Sequence, residues 1–467
     1  MPSPRGPRRL VIAGVASGVG KTTVTGAIIA AMRRRGRRVQ PFKAGPDYID
    51  PTYHTLTAGR ACRNLDSVLL GPETLRTLFA RAAQGADLAL VEGVMGLFDG
   101  RIEGGDQGST AEIARLLGAP VLVVIDVART ARTAGAVALG CVRFDPRLAV
   151  AGFILNRVGS PAHAQAAAAA VEAATQLPVL GALPRDDGLA LPERHLGLVP
   201  TVESGPDREF LERLVARAES HLAIDRIWDL AGEPHEETVT PDESLATPVF
   251  PPEPMAPRAT IAIAQDRAFN FYYQDSLDLL QAWGGSLAPF SPLEDPGLPR
   301  GTQGVYLGGG FPELYAAELA ENRPMLDALR RAAAAGLPLY GECGGLMYLG
   351  RTLTDLDGRR YPMAGLAPVD SVMRRERVTI GYRTATALRA SPILPAGAEV
   401  RGHEFHYSQL SSPVPEETAA YRMAKQAEAK EGFVDRNVLA SYLHVHFGSD
   451  PAMARRFVQM CARTPRV

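Results

Sequence analysis

The stretch that decides the fold of the N-terminal half is Gly14-Val-Ala-Ser-Gly-Val-Gly-Lys-Thr-Thr23, which follows the apolar run Leu10–Ala13 and opens a helical pattern. A glycine-rich loop between a buried strand and a helix presents free backbone N–H groups and is typical of phosphate binding. Lys21 can reach the β and γ phosphates of a nucleotide, and the Thr22 hydroxyl can ligate Mg²⁺. The usual pattern is G-x4-GK[ST], and here Gly14 lies one residue early.

The loop therefore predicts a nucleotide site, to which a later strand adds an amide. Asn156 closes the apolar run Val150–Leu155, and an amide offers both a donor and an acceptor to an adenine edge. The expected nucleotide-binding residues are Gly14, Ser17, Gly18, Val19, Gly20, Lys21, Thr22, Thr23 and Asn156.

Apolar runs recur through the first half and alternate with helical patterns. Because the runs lack a period-2 polar face, they are typical of strands that are buried on both sides of a sheet. Their alternation with helices predicts an α/β fold with a doubly wound parallel sheet of the P-loop type. The predicted strands are Leu10–Ala13, Val39–Phe42, Leu88–Val91, Val121–Val127, Val150–Leu155 and Val179–Leu183, and the predicted helices include Lys21–Arg35 and Ala164–Thr175.

Charged residues follow two of these strands at the carboxyl edge of the sheet, where open α/β sheets bind ligands. Carboxylate oxygens are preferred ligands of Mg²⁺, and a buried carboxylate is costly unless a cation meets it. The predicted metal ligands are Thr22, Asp47 and Glu92. The predicted substrate contacts are Lys43, Asp47, Tyr48 and Asp99. Asp50 and Asp99 could equally be turn formers, since Asp is common in glycine-rich turns.

The composition changes over Gly232–Pro257, which carries seven prolines and six acidic residues but no Lys or Arg. Such a segment cannot bury enough apolar surface to order itself. We therefore predict a linker at 232–258 between an ATP-binding domain at 1–231 and a second α/β domain at 259–467. A structured excursion over the surface is the alternative, because long loops occur in large enzymes.

The second domain also alternates strand-like and helical patterns. Its predicted strands are Thr260–Ala264, Gly304–Leu307, Pro338–Tyr340, Val400–Tyr407 and Val438–Phe447, and its predicted helices are Gln274–Trp283, Glu313–Leu319 and Pro324–Ala335. Between a strand and a helix, Gly341-Glu-Cys343-Gly-Gly345 reads as G-x-C-x-G, the thiol counterpart of the nucleophile elbow. The flanking glycines permit a sharp turn, and the following helix N-terminus favours a thiolate.

A thiol nucleophile needs donors for an oxyanion and a base. The predicted oxyanion donors are the backbone N–H groups of Gly309, Gly310 and Gly344. Among nine histidines the best candidate for the base is His444, at the end of an apolar run. His446 lies on the same strand face by period 2 and is the alternative base. The sequence leaves this choice open.

The composition limits both the class of protein and the kinds of partner that the chain can have. Hydrophobic residues make up 46% and charged residues 22% of the 467, which is ordinary for a globular protein and excludes a disordered or fibrous chain. The formal net charge of −1 gives no field that draws the chain to nucleic acid or to a membrane. No apolar run reaches the ~20 residues of a membrane span. Four scattered cysteines fit a reducing cytoplasm, and the number of subunits, a homodimer included, stays open.

Together these motifs resemble those of the cobyrinic acid and hydrogenobyrinic acid a,c-diamide synthase family over nearly the whole chain. The N-terminal half resembles the dethiobiotin-synthetase-like P-loop fold, which shares the longer loop, and the C-terminal half resembles a class I glutamine amidotransferase domain. The segments that carry the resemblance are Phe42–Pro51, Val91–Gly100, Gly308–Glu313, Gly341–Gly345, Gly402–Ser408 and Ser441–Phe447.

The resemblance implies a ligase of cobalamin biosynthesis that uses ATP, Mg²⁺ and L-glutamine. Cobyrinic or hydrogenobyrinic acid would be amidated at its a and c carboxylates through acyl phosphates, with ammonia released from a γ-glutamyl thioester on Cys343 and His444 as the base. Many class I domains carry His-Pro-Glu, whose Glu orients the His, but here the third position is His446. Either a Cys–His dyad suffices or another acid, with Glu404 as a candidate, assists.

Several alternatives stay open. A related amidase, such as a cobyric acid synthase or a nickel-sirohydrochlorin a,c-diamide synthase, would carry the same two motifs. A P-loop ATPase switch with an inert glutaminase-like domain is a rival of a different class. Phe269–Tyr273 and Tyr382 offer flat faces to a macrocycle, with packing in the core as the alternative. The corrin metal, the order of amidation and the choice of ATP or GTP also stay open.

Overall fold

The computed structural model describes residues 6–101, 104–186, 193–194, 197–198, 200–204, 208–233, 247–253, 255–375, 378–424 and 429–467. The chain divides into two compact units, Met1–Thr240 and Pro241–Val467. Residues 234–246 and 254 of the predicted linker lie outside the described residues, so the linker stays a prediction. Among the described residues, no helix combines the length and the apolar character that crossing a membrane requires.

One seven-stranded sheet organises the N-terminal unit. Its strand order is β3-β2-β4-β1-β5-β6-β7, and all its neighbouring strands are parallel. The strands are β1 (Arg8–Gly14), β2 (Val39–Ala44), β3 (Arg63–Leu65), β4 (Leu88–Glu92), β5 (Val121–Asp126), β6 (Val150–Val158) and β7 (Val179–Pro184), followed by a separate pair, β8 (Glu193–Arg194) and β9 (Gly197–Leu198). The predicted α/β fold with a parallel sheet is confirmed.

Nine helices are described in this unit. They are α1 (Lys21–Arg34), α2 (Asp50–Ala58), α3 (Pro72–Ala82), α4 (Thr110–Leu116), α5 (Thr133–Arg143), α6 (Pro161–Thr175), α7 (Thr201–Ser204), α8 (Arg208–His221) and α9 (Ile224–Leu230). The apolar runs become buried strands, since Leu10, Val11 and Ile12 of β1 have no exposed surface. Helix α1 packs its Val24 and Ile28 into the same core, which fixes the glycine-rich loop between β1 and α1.

The strand register brings two charged side chains together at the carboxyl edge. In the parallel pair β2–β4, Lys43 lies opposite Glu92. In the pair β1–β4, Ile12 lies opposite the same Glu92. Directly opposed residues on neighbouring strands point to the same face of a sheet. The edge next to the glycine-rich loop therefore carries a cation and a carboxylate in contact.

A ten-stranded mixed sheet organises the C-terminal unit, in the order β12-β10-β13-β15-β24-β23-β22-β19-β20-β25. The first five strands are parallel and the others antiparallel. The sheet strands are β10 (Ala259–Ala264), β12 (Gly285–Phe290), β13 (Gly304–Leu307), β15 (Leu339–Glu342), β19 (Thr379–Ala387), β20 (Glu399–His406), β22 (Ala419–Met423), β23 (Lys430–Asp435), β24 (Val438–Ser441) and β25 (His444–Val445).

Two small sheets and five helices complete this unit as described. The small sheets comprise β11 (Phe269–Phe271) with β14 (Gly309–Gly310), and β16 (Thr352–Thr354), β17 (Arg360–Pro362), β18 (Asp370–Met373) and β21 (Ser408–Leu410). The helices are α10 (Gln274–Ala282), α11 (Ala316–Glu321), α12 (Arg323–Ala334), α13 (Gly344–Leu349) and α14 (Ala452–Cys461), with 3-10 turns at Pro312–Tyr315, Glu416–Thr418 and Phe447–Ser449.

One predicted strand is divided in the structure. The sequence predicts a continuous strand over Val438–Phe447, but β24 ends at Ser441 and β25 covers only His444–Val445. The carboxylate of Glu431 accepts hydrogen bonds from the Ser441 hydroxyl and the Tyr442 backbone, which bends the chain away from β24. His446 therefore follows β25 with an extended backbone, and the prediction of one continuous strand was wrong.

Candidate functional site

The lysine of the glycine-rich loop is held inside the loop itself. The Lys21 ammonium donates to the carbonyl oxygens of Ala16, at 3.0 Å, and Met95, at 2.7 Å. Burial, with a smaller contribution from Lys43, lowers the pKa of Lys21 to about 8. Ser17 and Gly18 are exposed at the tip of the loop, while Val19 is buried. The loop thus offers an open tip beside a desolvated ammonium, as an anion site requires.

Asn156 braces this loop. Its amide nitrogen donates to the Val19 carbonyl at 2.8 Å. Gly20 has a φ of +94°, and a Cβ at this position would lie 2.2 Å from the same amide nitrogen. One N–H of the Asn156 amide is therefore engaged by the loop, and its contact with adenine stays a prediction.

We expect Gly20→Ala to weaken binding of the nucleotide. Its new methyl group would displace Asn156, and a left-handed backbone costs an L-residue about 1–2 kcal/mol. Gly18→Ala is the matched control, because Gly18 also has a positive φ but no atom within 4 Å of its Cβ position. Calorimetric titration with MgATP should show a larger loss of affinity for Gly20→Ala. Equal losses would mean that Asn156 does not brace the loop.

A cluster of charges lies beside the loop, and we call Lys43, Asp47, Asp50 and Glu92 the carboxylate cluster. The Lys43 ammonium contacts the carboxylates of Asp50 at 2.5 Å, Glu92 at 2.9 Å and Asp47 at 3.7 Å. The second oxygen of Glu92 is hydrogen-bonded to Nε2 of the buried His54. Lys43 and Glu92 are both buried, so each depends on these partners to remain charged.

Three carboxylates share one ammonium in this cluster. Burial alone would lower the pKa of Lys43, but Asp50, Glu92 and Asp47 raise it well above its usual value. Burial opposes ionisation of Glu92, yet Lys43 and His54 bring its pKa below the ordinary value. Burial and the neighbouring Asp47 raise the pKa of Asp50 to about 8. A further cation beside Asp50 would therefore favour the ionised form of this carboxylate.

The oxygen atoms around Thr22 fit a Mg²⁺ ion. The Thr22 hydroxyl lies 2.9 Å from Glu92 Oε1 and 3.4 Å from Asp50 Oδ2, so three hard oxygen ligands converge. Oδ1 of Asp47 accepts the backbone N–H groups of Ile49 and Asp50 just before α2, and a contact of Asp47 with Mg²⁺ stays a prediction. The carboxylate that lies near the Thr22 hydroxyl is that of Asp50, for which the sequence also allowed the role of a turn former. Its place as the first residue of α2, directly before Pro51, was the available signal.

The other predicted substrate residues are spread over this edge. Tyr48 is buried. Asp99 accepts the Gly96 backbone N–H at 3.0 Å, as a turn former does. Lys43 is enclosed by its carboxylates, so it acts on a ligand chiefly through charge. The structure thus brings Thr22, Lys43 and Glu92 together, and leaves a contact of Tyr48 or Asp99 with substrate as a prediction.

Cys343 lies at a sharp turn between β15 and α13. Its φ is +49°, which is rare for a residue other than glycine, and its backbone N–H donates to the Ser441 carbonyl at 2.7 Å. A Cβ on Gly345 would lie 2.3 Å from the Leu307 carbonyl oxygen. Only glycine at 345 lets α13 approach β13 this closely, so the sequence of the elbow follows from its packing.

The glycine turn and His444 lie next to each other. A Cβ on Gly309 would lie 2.7 Å from Cε1 and 3.5 Å from Nε2 of the His444 ring. A Cβ on Gly344 would lie 3.3 Å from the Gly310 backbone nitrogen. The His403 ring stacks on His444 with 4.9 Å between their centres. The predicted oxyanion donors and the preferred base therefore lie within one small region of the unit.

Burial sets the protonation of this centre. It raises the pKa of the Cys343 thiol, and the Gly344 backbone N–H only partly opposes that rise. The expectation of a thiolate favoured by the helix N-terminus does not hold, because desolvation outweighs it. Burial and the nearby His403 and His406 lower the pKa of His444 well below its usual value. The resting centre holds a neutral thiol beside a neutral imidazole.

The other candidates for base and acid make contacts of their own, and the choice between His444 and His446 stays a prediction. Nδ1 of His446 accepts the Gly448 backbone N–H at 2.9 Å and caps the 3-10 turn that follows. The carboxylate of Glu404 accepts from Arg383 at 2.5 Å and lies 3.7 Å from His406. A different carboxylate faces His444, since Glu342 Oε2 lies 3.9 Å from its Nδ1. Sequence reasoning missed Glu342, although it directly precedes Cys343.

The aromatic run Phe269–Tyr273 contributes to the core. Phe269 and Tyr273 are buried, and their rings pack against Tyr348 and His446 at 5.3 and 4.7 Å between ring centres. They present no open face to a macrocycle, which favours the core alternative for these two residues.

Both halves of the chain match known family models. Residues 10–199 match the CobQ/CobB/MinD/ParA nucleotide binding domain, and residues 260–452 match the CobB/CobQ-like glutamine amidotransferase domain. The chain is 45% identical to the cobyrinate a,c-diamide synthase of Dehalococcoides mccartyi strain CBDB1, with 97% of this chain and 98% of the relative covered. It is 43% identical to the hydrogenobyrinate a,c-diamide synthase of Streptomyces coelicolor, with 97% of each covered.

Proposed function

Since this chain belongs to the family of cobyrinate and hydrogenobyrinate a,c-diamide synthases, we propose that it amidates the a and c carboxylates of a corrin with nitrogen from glutamine. The observation that carries the proposal is full-length similarity to relatives of both names, over a chain that holds a nucleotide-type loop and a cysteine elbow. The overall reaction joins carbon to nitrogen with consumption of ATP, so the enzyme is a ligase.

The N-terminal unit activates the carboxylate. A carboxylate is a poor electrophile, and transfer of the γ-phosphoryl group of ATP converts it into an acyl phosphate that ammonia can attack. Catalysis of such a transfer is mainly positioning and charge neutralisation. The Lys21 ammonium, at the end of its loop, and Lys43, inside the carboxylate cluster, are the cations available for this role.

A magnesium ion would be held by the oxygens of Thr22, Asp50 and Glu92 together with phosphate oxygens of the nucleotide. Bound there, it would supply the positive charge that lowers the electrostatic cost of phosphoryl transfer. The excess of carboxylates over the one ammonium in the cluster supports this assignment. His54, hydrogen-bonded to Glu92, fixes the orientation of that carboxylate.

The C-terminal unit releases ammonia from glutamine. Cys343 gives its proton to His444 as its sulfur attacks the side-chain amide, and backbone N–H groups of Gly310 and Gly344 stabilise the oxyanion. His444 then protonates the departing nitrogen, and water hydrolyses the γ-glutamyl thioester. Because thiol and imidazole are neutral at rest, transfer of the thiol proton to His444 accompanies the attack on the amide.

The compartment and the assembly are part of the proposal. The four cysteines are free and buried, which suits a reducing cytoplasm. We also propose a homodimer, and sedimentation of the purified chain at several concentrations tests it.

The reaction is tested by mass spectrometry of the products. The enzyme is incubated with cobyrinic acid or hydrogenobyrinic acid, ATP, Mg²⁺ and glutamine. We expect two carboxyl-to-carboxamide conversions and no more, together with two phosphates and two glutamates. Further amidation of the a,c-diamide would favour a cobyric acid synthase instead. Hydrolysis of ATP without any amide would favour the ATPase switch. The preferred corrin identifies whether the macrocycle carries cobalt.

A further inference from the structure

A buried carboxylate lies directly behind the proposed base of the glutaminase centre. Glu342 is the last residue of β15, so its backbone continues into the elbow at Cys343. It is fully enclosed in the core, as is His444. A carboxylate in such a place costs free energy unless its neighbours compensate. Its retention next to the nucleophile therefore needs a reason.

The orientation of Glu342 is fixed by three donors on different parts of the sheet. Its Oε1 accepts the phenol of Tyr340 and the Val445 backbone N–H, the latter at 3.1 Å. Its Oε2 accepts the Tyr306 phenol at 2.9 Å. Tyr306 and Tyr340 stack with 5.0 Å between ring centres, which locks both phenols in place. The carboxylate is thus held rigidly, and one oxygen still faces His444.

The imidazole of His444 has two differently placed nitrogens. Its Nε2 lies close to Gly309 of the glycine turn, since a Cβ atom on Gly309 would lie 3.5 Å from this nitrogen. Its Nδ1 lies 3.9 Å from Glu342 Oε2. A base needs one ring nitrogen for the nucleophile's proton, while the other nitrogen sets the tautomer and the ring orientation. The two sides of His444 are arranged in this way.

We propose that Glu342 is a positioning residue that orients His444 through Nδ1 and stabilises its imidazolium during thiol attack. The assignment rests on the proposed roles of Cys343 and His444. When the Cys343 S–H bond breaks, its proton moves to Nε2 and the sulfur electron pair forms the bond to the amide carbon. The positive charge then on His444 lies beside the carboxylate. The charge disappears when the same proton leaves with ammonia, so Glu342 itself exchanges no proton.

The titration of Glu342 gives this role a signature. Burial raises the pKa of Glu342 to about 7, and its three hydrogen bonds limit the rise. The other titratable groups that face Glu342 have pKa values away from 7. Burial raises the pKa values of the phenols and of the thiol and lowers that of the imidazole. These groups are Tyr272, Tyr306, Tyr340, Tyr421, Cys343 and His444. Glutamate release should therefore rise with pH through an acid limb near 7.

The test is Glu342→Gln in the full-length enzyme, with glutamate release measured from pH 5.5 to 8.5. The amide preserves the size of the side chain but carries no charge. We expect kcat for glutamate release to fall by about 100-fold, KM for glutamine to change little, and the acid limb near pH 7 to disappear. Amidation driven by ammonium chloride should remain unchanged. The melting temperature at pH 8 is measured as well, and a cooperatively folded variant with the lost rate supports the proposal.

Glu431→Gln is the matched control. Glu431 is a partly buried carboxylate of the same sheet, burial likewise raises its pKa to about 7, and it accepts hydrogen bonds from the Ser441 hydroxyl and the Tyr442 backbone N–H. Its partners, Ser441 and Tyr442, form the turn after β24. We therefore expect the rate of glutamate release to stay within about threefold of that of the parent enzyme. An equal loss in both variants would overturn the proposal, because it would reflect packing of the sheet.

Two further outcomes separate this inference from the proposed function. If Glu342→Gln keeps the parent rate and the acid limb, Glu342 does not position His444, and the glutaminase assignment stands. If Cys343→Ser releases glutamate as fast as the parent enzyme, the glutaminase assignment itself fails. Both variants are assayed with the same preparation of glutamine and the same detection of glutamate, so the two failures are distinguishable.

Discussion

Cys343→Ala should abolish amidation driven by glutamine and leave amidation driven by ammonium chloride intact. The thiol is the only nucleophile at the elbow, and removal of a covalent nucleophile typically costs about 10⁶-fold in turnover. The synthesis of the acyl phosphate involves other residues, in the N-terminal unit. Alanine keeps the backbone of an L-residue at the positive φ of 343, so the elbow itself is retained. The rates are measured by product mass with each nitrogen source.

Cys461→Ala is the control for this variant. Cys461 is also fully buried, but it lies on α14 and contacts the core near Gly304. Its loss should cost a little stability through packing and leave both nitrogen sources usable. Retention of the glutamine-driven rate by Cys343→Ala would refute the thioester route. Loss of both activities in Cys343→Ala would mean that the elbow also supports the synthetase reaction.

Lys43→Met should destabilise the N-terminal unit and stop amidation with either nitrogen source. Lys43 is 3% exposed and neutralises Glu92 and Asp50. Its removal therefore leaves these carboxylates without a counter-charge. Breaking a buried ion pair by deleting one partner costs about 3–5 kcal/mol. The free energy of unfolding is obtained from urea titrations at pH 7.

The pH dependence of Lys43→Met gives a second test with a definite sign. Without the ammonium, the pKa values of the cluster's carboxylates in the folded state rise above those in the unfolded state. Such groups favour the folded state at low pH, and that contribution is lost as the pH rises through their folded pKa. The stability deficit relative to the parent should therefore be smaller at pH 5 than at pH 7. Added Mg²⁺ should also reduce it, because it supplies the missing charge.

Lys430→Met provides the comparison. Lys430 contacts Glu416, which is largely exposed, and exposed pairs contribute about 0–1 kcal/mol. If Lys43→Met loses no more stability than Lys430→Met, the carboxylate cluster is not held together by Lys43. The same result would also weaken the Mg²⁺ assignment, which depends on the surplus of negative charge there.

Local sequence signals predicted the parts of the molecule that depend on local geometry. The loop before Lys21 and the elbow at Cys343 each combine glycines with a strand and a helix within a few residues. Both sit in the structure where those patterns placed them. The parallel sheet was also predictable, because strands that are buried on both faces carry continuous apolar runs.

The parts that escaped prediction depend on contacts distant in the sequence. Asp50, the first residue of α2, lies 3.4 Å from the Thr22 hydroxyl, and the sequence alone left it open as a turn former. Glu342 meets His444 across about a hundred residues, through the pairing of β15 with β24 and of β20 with β25. The turn after β24 was missed because it depends on Glu431, a side chain of a neighbouring strand.

The order of strands in the N-terminal sheet constrains when this centre can exist during synthesis. Strand β4 lies between β2 and β1 although it is made after both. A nascent chain that ends before residue 88 holds both the loop and Lys43 but has no strand to join them. Protection of growing chains by nucleotide should therefore not begin before Glu92 has left the ribosome, which makes ligand binding a reporter of the insertion of β4 between β2 and β1.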